Sequence, residues 1–355
     1  MRSERLSPGE IAAGDRDALR GAVLLAPVRL AGEVVPKGTR IAAGESRRLH
    51  GAARTGQLRA PVRLGWPEAG DIHEDEAALL LAHLIGGPGV ARGQPRQSRV
   101  DLTARTDGVL RVNVEALSRI NRVDPLEVFT LYNGQAVRAG QVVASTKVAP
   151  HLVAGTAVGA GGAVAKAAAP IVDVTPYLPL EVAAIAAEAL APEALARFDS
   201  AARRKVTALG GRFTGTTLVP EEDVAKAAAH LAALLTRLAA QPVPLVLVGG
   251  VSAGDPLAPM FEALDALGCT LLRRGVPAHP GSMIWLARLG ETTLLGLPQC
   301  GMFSMATAAD LVLPRLLTGE QVTADTLADL GHGGMLGREM RFRFPDYARD
   351  LEAPE

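Results

Sequence analysis

Two stretches in the carboxyl-terminal half of the chain constrain its fold most strongly. Residues 245–255 read LVLVGGVSAGD, and residues 294–301 read LLGLPQCG. In each, an apolar strand-like run breaks into a glycine-containing loop before a helical pattern resumes. An open α/β sheet builds an anion site in this way, with loop amides and a helix N-terminus converging at the carboxyl edge of its strands. The sequence therefore predicts a ligand site at these two loops.

Composition excludes several classes of function. The chain has 355 residues, which at roughly 150 residues per domain suggests two or three domains. Hydrophobic residues make up 48%, enough to bury a core in each. The 37 Lys and Arg residues balance the 37 Asp and Glu residues, and aromatic residues make up only 3%. No basic surface or stacking platform is left for nucleic acid, and none for an anionic membrane.

The cysteines and the N-terminal segment favour a cytoplasmic protein. Cys269 and Cys300 belong to no CxxC or Cys/His spacing, so no structural zinc site is predicted. Two isolated cysteines fit a reducing compartment. The first ten residues are polar, unlike a signal peptide, and no apolar run reaches the roughly 20 residues that span a bilayer.

The pattern along the chain divides it into four regions. Residues 1–90 predict a β-hairpin and helical region, with the hairpin turn at Ala31-Gly32, and residues 91–170 a β-rich region and a linker. Residues 171–320 alternate strands with helices, which indicates a three-layer αβα domain with a mainly parallel sheet. Residues 321–355 form a mixed C-terminal tail. The predicted fold class is therefore α/β, preceded by smaller β-rich N-terminal domains.

The loop after the strand at residues 245–249 supplies the first candidate ligand residues. Glycines permit close approach of the backbone and positive φ angles, Ser252 adds a hydroxyl, and Asp255 precedes a helix predicted at Pro256–Leu267. The candidates are Gly249, Gly250, Val251, Ser252, Gly254 and Asp255. The alternative is a glycine-rich turn in which Asp255 only caps the helix.

Two further loops complete the predicted site. The second loop supplies Leu297, Pro298, Gln299, Cys300 and Gly301, and a turn between strands supplies Pro280, Gly281 and Ser282. The alternative for each is a tight surface turn. Cys300 has no neighbouring histidine to activate it, so a small packed residue is favoured over a nucleophile.

In this order, these motifs resemble the molybdopterin-binding domain of the MoeA, MogA and gephyrin family. That family has a GGxS-type loop followed by Gly-Asp, a Pro-Gly turn, and a strand ending in Gly-Leu-Pro. The matching residues are Gly249–Ser252 with Gly254-Asp255, Pro280-Gly281, and Gly296–Pro298. Residues 21–41, 108–150 and 331–336 further resemble stand-alone bacterial molybdopterin-binding proteins. The resemblance implies a three-layer α/β fold, molybdopterin or molybdenum cofactor as ligand, and a homo-oligomer.

The chain also departs from the family pattern. MoeA-type proteins carry Thr-Gly-Asp-Glu-Leu where this chain has Ala186–Leu190, which retains only Glu188 as an acid. They carry Pro-Gly-Asn-Pro where this chain has Pro298–Gly301, and a lysine-rich turn where it has Ala278–Ser282. Most of the acidic positions that bind Mg²⁺ in catalysis are therefore missing, and no metal site is assigned.

The resemblance implies three alternative functions. The first is a carrier that binds the pterin in cofactor synthesis, storage or delivery to a client molybdoenzyme. The second is a molybdotransferase that inserts molybdenum into adenylylated molybdopterin, with Glu188 and Asp255 holding Mg²⁺ as the candidate catalytic residues. The third is a CinA-like nucleotide-processing enzyme. The depleted acidic positions favour the carrier.

Overall fold

The computed structural model describes residues 1–30, 32–220, 223–241, 243–303 and 305–349. The chain forms two compact units. The first comprises Met1–Arg105, Arg111–Asn133 and Gly140–Val174. The second comprises Thr106–Leu110, Gly134–Ala139 and the chain from Thr175 onward.

Strands and helices alternate along the described residues. The strands are β1 (Arg2–Leu6), β2 (Val23–Leu24), β3 (Val28–Leu30), β4 (Glu33–Val35), β5 (Val62–Trp66), β6 (Asp71–His73), β7 (Val90–Arg92), β8 (Arg99–Ala104), β9 (Gly108–Val112), β10 (Leu126–Thr130), β11 (Ala136–Val137), β12 (Val142–Val148), β13 (Leu152–Ala154), β14 (Val172–Pro176), β15 (Glu181–Ala186), β16 (Arg212–Leu218), β17 (Leu245–Gly249), β18 (Thr270–Arg274), β19 (Trp285–Leu289) and β20 (Thr292–Leu297). The α-helices are α1 (Pro8–Ala13), α2 (Ala43–Arg54), α3 (Glu74–Ile85), α4 (Val114–Asn121), α5 (Gly155–Ala168), α6 (Pro192–Ala208), α7 (Val224–Ala239), α8 (Pro259–Ala266), α9 (Gln299–Met302), α10 (Ala309–Leu316), α11 (Ala324–Ala328) and α12 (Asp346–Arg349). Short 3₁₀ helices cover Asp329–Gly331 and Arg338–Arg343.

The first unit is rich in small antiparallel sheets. Strands β1, β5 and β2 form one sheet, and strands β10, β12, β8 and β7 form another. The predicted hairpin is present as β3 and β4, with Leu30 opposite Glu33. Gly32 has a φ of 89° in its turn, whereas Ala31 lies outside the described residues. Glycine adopts this left-handed φ without a steric penalty, which is why the chain reverses here.

The second unit is built on a six-stranded sheet with the order β16-β15-β17-β20-β19-β18. Strands β15, β16, β17 and β20 run parallel to their neighbours among themselves. Strands β20, β19 and β18 pair antiparallel. The sheet is therefore mainly parallel with an antiparallel edge, an arrangement common in doubly wound folds.

Helices cover both faces of this sheet. Alternate residues of β15 divide between two cores, since Val182 and Ala184 face one and Ala183 and Ile185 face the other. The first core also contains residues of α6, α9, α10 and the C-terminal segment, and the second contains residues of α7 and α8. Strands buried on both faces explain the continuous apolar runs in the sequence. The predicted three-layer α/β fold class is confirmed by this topology.

No helix in the described ranges has both the length and the apolar character needed to cross a bilayer.

Candidate functional site

The candidate site lies where three parallel strands of the second unit end together. Ala186 pairs with Gly249, and Gly249 pairs with Leu297, so the last residues of β15, β17 and β20 are in register. The Ala187 amide donates to the Gly249 carbonyl at 3.0 Å, and the Gly250 amide donates to the Leu297 carbonyl at 3.1 Å. The loops after these strands therefore leave the same edge of the sheet, where open α/β sheets bind ligands.

Gly250 turns the chain out of β17 beneath the side chain of Glu188. Its φ is 86°, a left-handed conformation that favours glycine. A Cβ on Gly250 would lie 2.6 Å from Glu188 Cγ and 3.0 Å from Glu188 Oε1. Because Glu188 covers Gly250 and the Gly250 amide already bonds to β20, an anion has to approach the loop further along.

The amides of Val251 and Ser252 are the next donors along this loop. Neither donates a hydrogen bond to another described residue, whereas the Ala253 amide donates to the Met283 carbonyl at 3.0 Å. The Ser252 hydroxyl accepts from the Gly254 amide at 3.2 Å, which leaves its own hydrogen available. Consecutive backbone amides beside a hydroxyl suit a phosphate or carboxylate oxygen.

The helix predicted to begin at Pro256 begins instead at Pro259, so the sequence-based start was wrong by three residues. The reason lies in Asp255, whose Oδ1 accepts the Leu257 amide at 3.0 Å in a local turn. Ala258 is the N-cap of α8 and makes no side-chain cap hydrogen bond. Asp255 is exposed and does not cap α8, so neither its candidate role nor the plain-cap alternative gains a contact at the helix start.

Trp285 ties the loop after β17 to the sheet. Its indole nitrogen donates to the Val251 carbonyl at 3.0 Å, and both groups are buried. Trp285 stands opposite Gly296, and a Cβ on Gly296 would lie 2.0 Å from the indole ring. The glycine of the Gly-Leu-Pro motif is therefore needed to admit the tryptophan, whose packing fixes the loop.

The turn at residues 279–282 packs against the start of α10. The Ala308 amide donates to the Pro280 carbonyl at 2.8 Å. Gly281 has a φ of 95°, and a Cβ there would lie 2.7 Å from Thr307 Cβ. Thr307 Oγ1 would also lie 3.5 Å from a Cβ on Gly301. The Thr307 side chain thus separates the turn from the loop after β20.

The C-terminal segment holds the other side of this turn. The His279 amide donates to the Gly334 carbonyl at 2.8 Å, and the Leu336 amide donates to the His279 carbonyl at 2.8 Å. His279 and Met335 form an isolated parallel bridge. Residues 331–336, which resemble part of the stand-alone proteins, are therefore backbone partners of the predicted turn.

A buried charged cluster lies behind Thr307. Asp310 Oδ1 accepts from Lys205 Nζ at 2.5 Å and from the Tyr347 hydroxyl at 3.0 Å, while Asp310 Oδ2 accepts from the Thr307 amide at 2.9 Å. Asp310 has no exposed surface and Lys205 is 3% exposed. Burial, followed by the negative charge of Asp310, raises the pKa of Tyr347 well above its usual value, so the phenol stays protonated and donates.

The loop after β20 forms a single helical turn. Pro298 is the N-cap of α9, and Gln299 Nε2 lies 3.5 Å from Glu188 Oε2. Cys300 is exposed on this turn, whereas Gly301 is buried. Leu297 and Pro298 are buried, so the exposed groups of this loop are Gln299 and Cys300.

The predicted residues thus occupy loops at one edge of the second unit, linked by named contacts. Glu188 touches both the loop after β17 and the loop after β20, and Met283 joins the loop after β17 to the chain beyond Ser282. Within the described ranges, no group of three or more His, Cys, Asp or Glu side chains is arranged to hold a metal ion.

Sequence reasoning missed the residues that hold these loops in place. They are Lys205, Trp285, Thr307, Asp310 and Tyr347. One signal was available for Trp285, because a glycine inside a strand pattern often marks the close approach of another group. Lys205, Asp310 and Tyr347 are far apart in sequence and belong to no motif.

Comparison with known proteins gives weak likenesses only. No family model matches the chain, and no curated protein matches it. Among solved structures, 40% of the chain is similar to 98% of the molybdopterin biosynthesis enzyme MoaB from Thermus thermophilus, with 20% identity and a TM-score of 0.28. A molybdopterin biosynthesis MoeA protein from Pyrococcus horikoshii shares 12% identity over 70% of this chain and 79% of its own, with a TM-score of 0.28. These scores are too low to establish a shared fold, and the fold assignment rests on strand order.

Proposed function

We propose that this protein binds molybdopterin or the molybdenum cofactor at the carboxyl edge of the six-stranded sheet and acts as a carrier in cofactor synthesis, storage or delivery. The observation that carries the proposal is the loop after β17. Its left-handed Gly250 turns the chain so that the amides of Val251 and Ser252 follow without acceptors among the described residues. Such a loop suits the terminal phosphate of the pterin.

The motif order supports the pterin over other anions. Gly249–Ser252, Pro280-Gly281 and Gly296–Pro298 resemble the molybdopterin-binding family in sequence, and the same three segments meet at one edge of the sheet. In this proposal the phosphate binds at Val251 and Ser252. Gln299, Cys300 and Ser282 border the remainder of the pterin, and Asp255 lies exposed at the end of the loop.

The residues also bear on Mg²⁺. Glu188 is the carboxylate in contact with the loops, and it already accepts from Gln299. In the carrier proposal its role is to cover Gly250 and to fix the spacing between the two loops. A single carboxylate fits a carrier better than a dedicated magnesium site, which usually draws on more than one acid together with the substrate phosphates.

The proposal is tested by releasing the ligand from protein purified in a pterin-producing host. Oxidised pterin is detected by fluorescence and identified by mass spectrometry, together with the metal content. Bound pterin at near-stoichiometric amounts would support the carrier. A protein that carries no pterin and binds none on titration would refute it. Molybdate- and Mg²⁺-dependent release of AMP from adenylylated molybdopterin would instead identify a molybdotransferase, and preferential binding of ADP-ribose a nucleotide-processing enzyme.

Gly250→Ala is expected to lower the affinity for molybdopterin about tenfold or more. An L-residue in the left-handed region costs roughly 1–2 kcal/mol, and the new methyl would lie 2.6 Å from Glu188 Cγ. The loop has to move, and a loss of about 1.4 kcal/mol in binding corresponds to a factor of ten. Titration calorimetry with molybdopterin measures the change.

The matched control is Gly290→Ala. Gly290 also has a positive φ, 56°, but it lies in the turn between β19 and β20, and a Cβ there would meet nothing within 4 Å. It imposes similar backbone strain without touching the site, so the affinity should match the unmodified protein. Equal losses in both variants would mean that general destabilisation, rather than the loop, governs binding.

Cysteine labelling gives an independent readout of the loop after β20. Cys300 is exposed, whereas burial raises the pKa of the Cys269 thiol and lowers its thiolate fraction. We expect iodoacetamide at neutral pH to modify Cys300 first, and molybdopterin to slow that modification without changing the rate at Cys269. Labelling of Cys300 that is indifferent to saturating pterin would remove this loop from the proposed site.

A further inference from the structure

We propose that the C-terminal segment, residues 331–349, is a positioning part of the ligand site and acts through Asp310. This inference rests on the proposed site but concerns residues that belong to none of its motifs. It assigns Tyr347, Asp310 and Lys205 to positioning the two loops that border the ligand.

The first observation is the complete pairing of the Asp310 carboxylate. Lys205 and Tyr347 bind one oxygen, and the Thr307 amide and hydroxyl bind the other at 2.9 Å and 3.4 Å. A buried carboxylate with both oxygens engaged holds its partners in one geometry, because any displacement leaves a buried charge unpaired. Asp310 therefore fixes the position of Thr307.

The second observation is what Thr307 touches. Its Cβ would lie 2.7 Å from a Cβ on Gly281, and its Oγ1 would lie 3.5 Å from a Cβ on Gly301. Gly281 and Gly301 belong to different loops of the site. A shift of Thr307 would therefore alter the separation of those loops, which sets the width available to a ligand.

The third observation is a second connection from the same segment to the same turn. His279 exchanges backbone hydrogen bonds with Gly334 and Leu336, both at 2.8 Å. Tyr347 reaches the turn through Asp310 and Thr307, and residues 334–336 reach it directly. Two independent connections to one turn are more than burial of Phe344 and Ala348 in the core requires.

The experiment compares Tyr347→Phe with Tyr177→Phe. Both changes remove the hydroxyl of a partly buried tyrosine packed on the same core, but Tyr347 donates to Asp310 and no described hydrogen bond is formed by the Tyr177 hydroxyl. Deuterium exchange is followed by mass spectrometry in ligand-free protein, and molybdopterin affinity is measured by calorimetry. Asp310→Asn is a second, stronger variant of the same contact.

For Tyr347→Phe we expect exchange at residues 279–284 and 299–309 to accelerate about fivefold or more, since the loss of one net hydrogen bond is worth that order of population change. Exchange in β15 and β17 should stay within about twofold, and affinity should fall by a similar factor of about five. Tyr177→Phe should change neither. Uniform acceleration across the unit, or none at the two loops, would overturn the positioning role.

The exchange readout needs no ligand, which separates the two proposals. If the unmodified protein binds no pterin, the proposed function fails, yet local acceleration at the two loops would still establish the coupling. If pterin binds and Tyr347→Phe leaves both loops and affinity unchanged, the positioning role fails and the proposed function stands.

Discussion

Lys205→Met is expected to lower the free energy of unfolding by about 3–5 kcal/mol, the usual penalty for removing one partner of a buried ion pair. The ammonium of Lys205 lies 2.5 Å from Asp310 Oδ1, with side-chain exposures of 4% and 0%. Methionine fills a similar volume, so the loss reports the uncompensated Asp310 charge rather than a cavity. Chemical denaturation monitored by circular dichroism measures it.

Two variants isolate the charge effect. Lys226→Met changes an exposed lysine on α7 and should alter the free energy of unfolding by less than about 0.5 kcal/mol. Adding Asp310→Asn to Lys205→Met should recover part of the loss, because the amide still accepts from Thr307 without a buried charge. If the double variant is less stable than Lys205→Met alone, the ion pair is not the source of the effect.

Gly296→Ala is expected to lower the free energy of unfolding by about 3 kcal/mol, at the upper end of overpacking effects. Its methyl would lie 2.0 Å from the Trp285 indole, which is 1% exposed. The ring has to leave its position, and its hydrogen bond to the Val251 carbonyl is lost with it. The same variant should therefore weaken pterin binding through the loop after β17.

The readouts for this prediction are denaturation and the fluorescence of Trp285, measured in a Trp66→Phe background because Trp66 is the second tryptophan. Gly51→Ala is the reference for a harmless methyl, since a Cβ at that position in α2 meets nothing within 4 Å. It should leave stability unchanged or raise it by up to about 1 kcal/mol. An unchanged Trp285 spectrum in Gly296→Ala would show that the ring does not depend on the glycine.

Local pattern was sufficient to predict the sheet of the second unit. Apolar runs at β15, β17 and β20, each followed by glycine or proline and a helical stripe, determine a doubly wound layer structure. The same runs place their loops at one edge, because parallel strands end together. The motif loops could therefore be located before their contacts were known.

The contacts between those loops could not be predicted, because they depend on long-range packing. Tyr347 and Lys205 lie in distant parts of the sequence, yet both bind Asp310. No periodic pattern marks a single buried lysine or tyrosine. The start of α8 was missed for a local reason, since Asp255 takes the Leu257 amide into a turn and delays the helix to Pro259.

The discontinuous make-up of the second unit decides how the protein can be dissected. Its residues come from Thr106–Leu110 and Gly134–Ala139 as well as from the chain beyond Thr175. Gln135 Nε2 donates to the Phe342 carbonyl at 2.9 Å, so one of the early stretches supports the same C-terminal segment that carries Tyr347. A fragment starting near residue 175 would omit that support, and a genetic fusion or truncation meant to isolate the pterin site has to keep both early stretches.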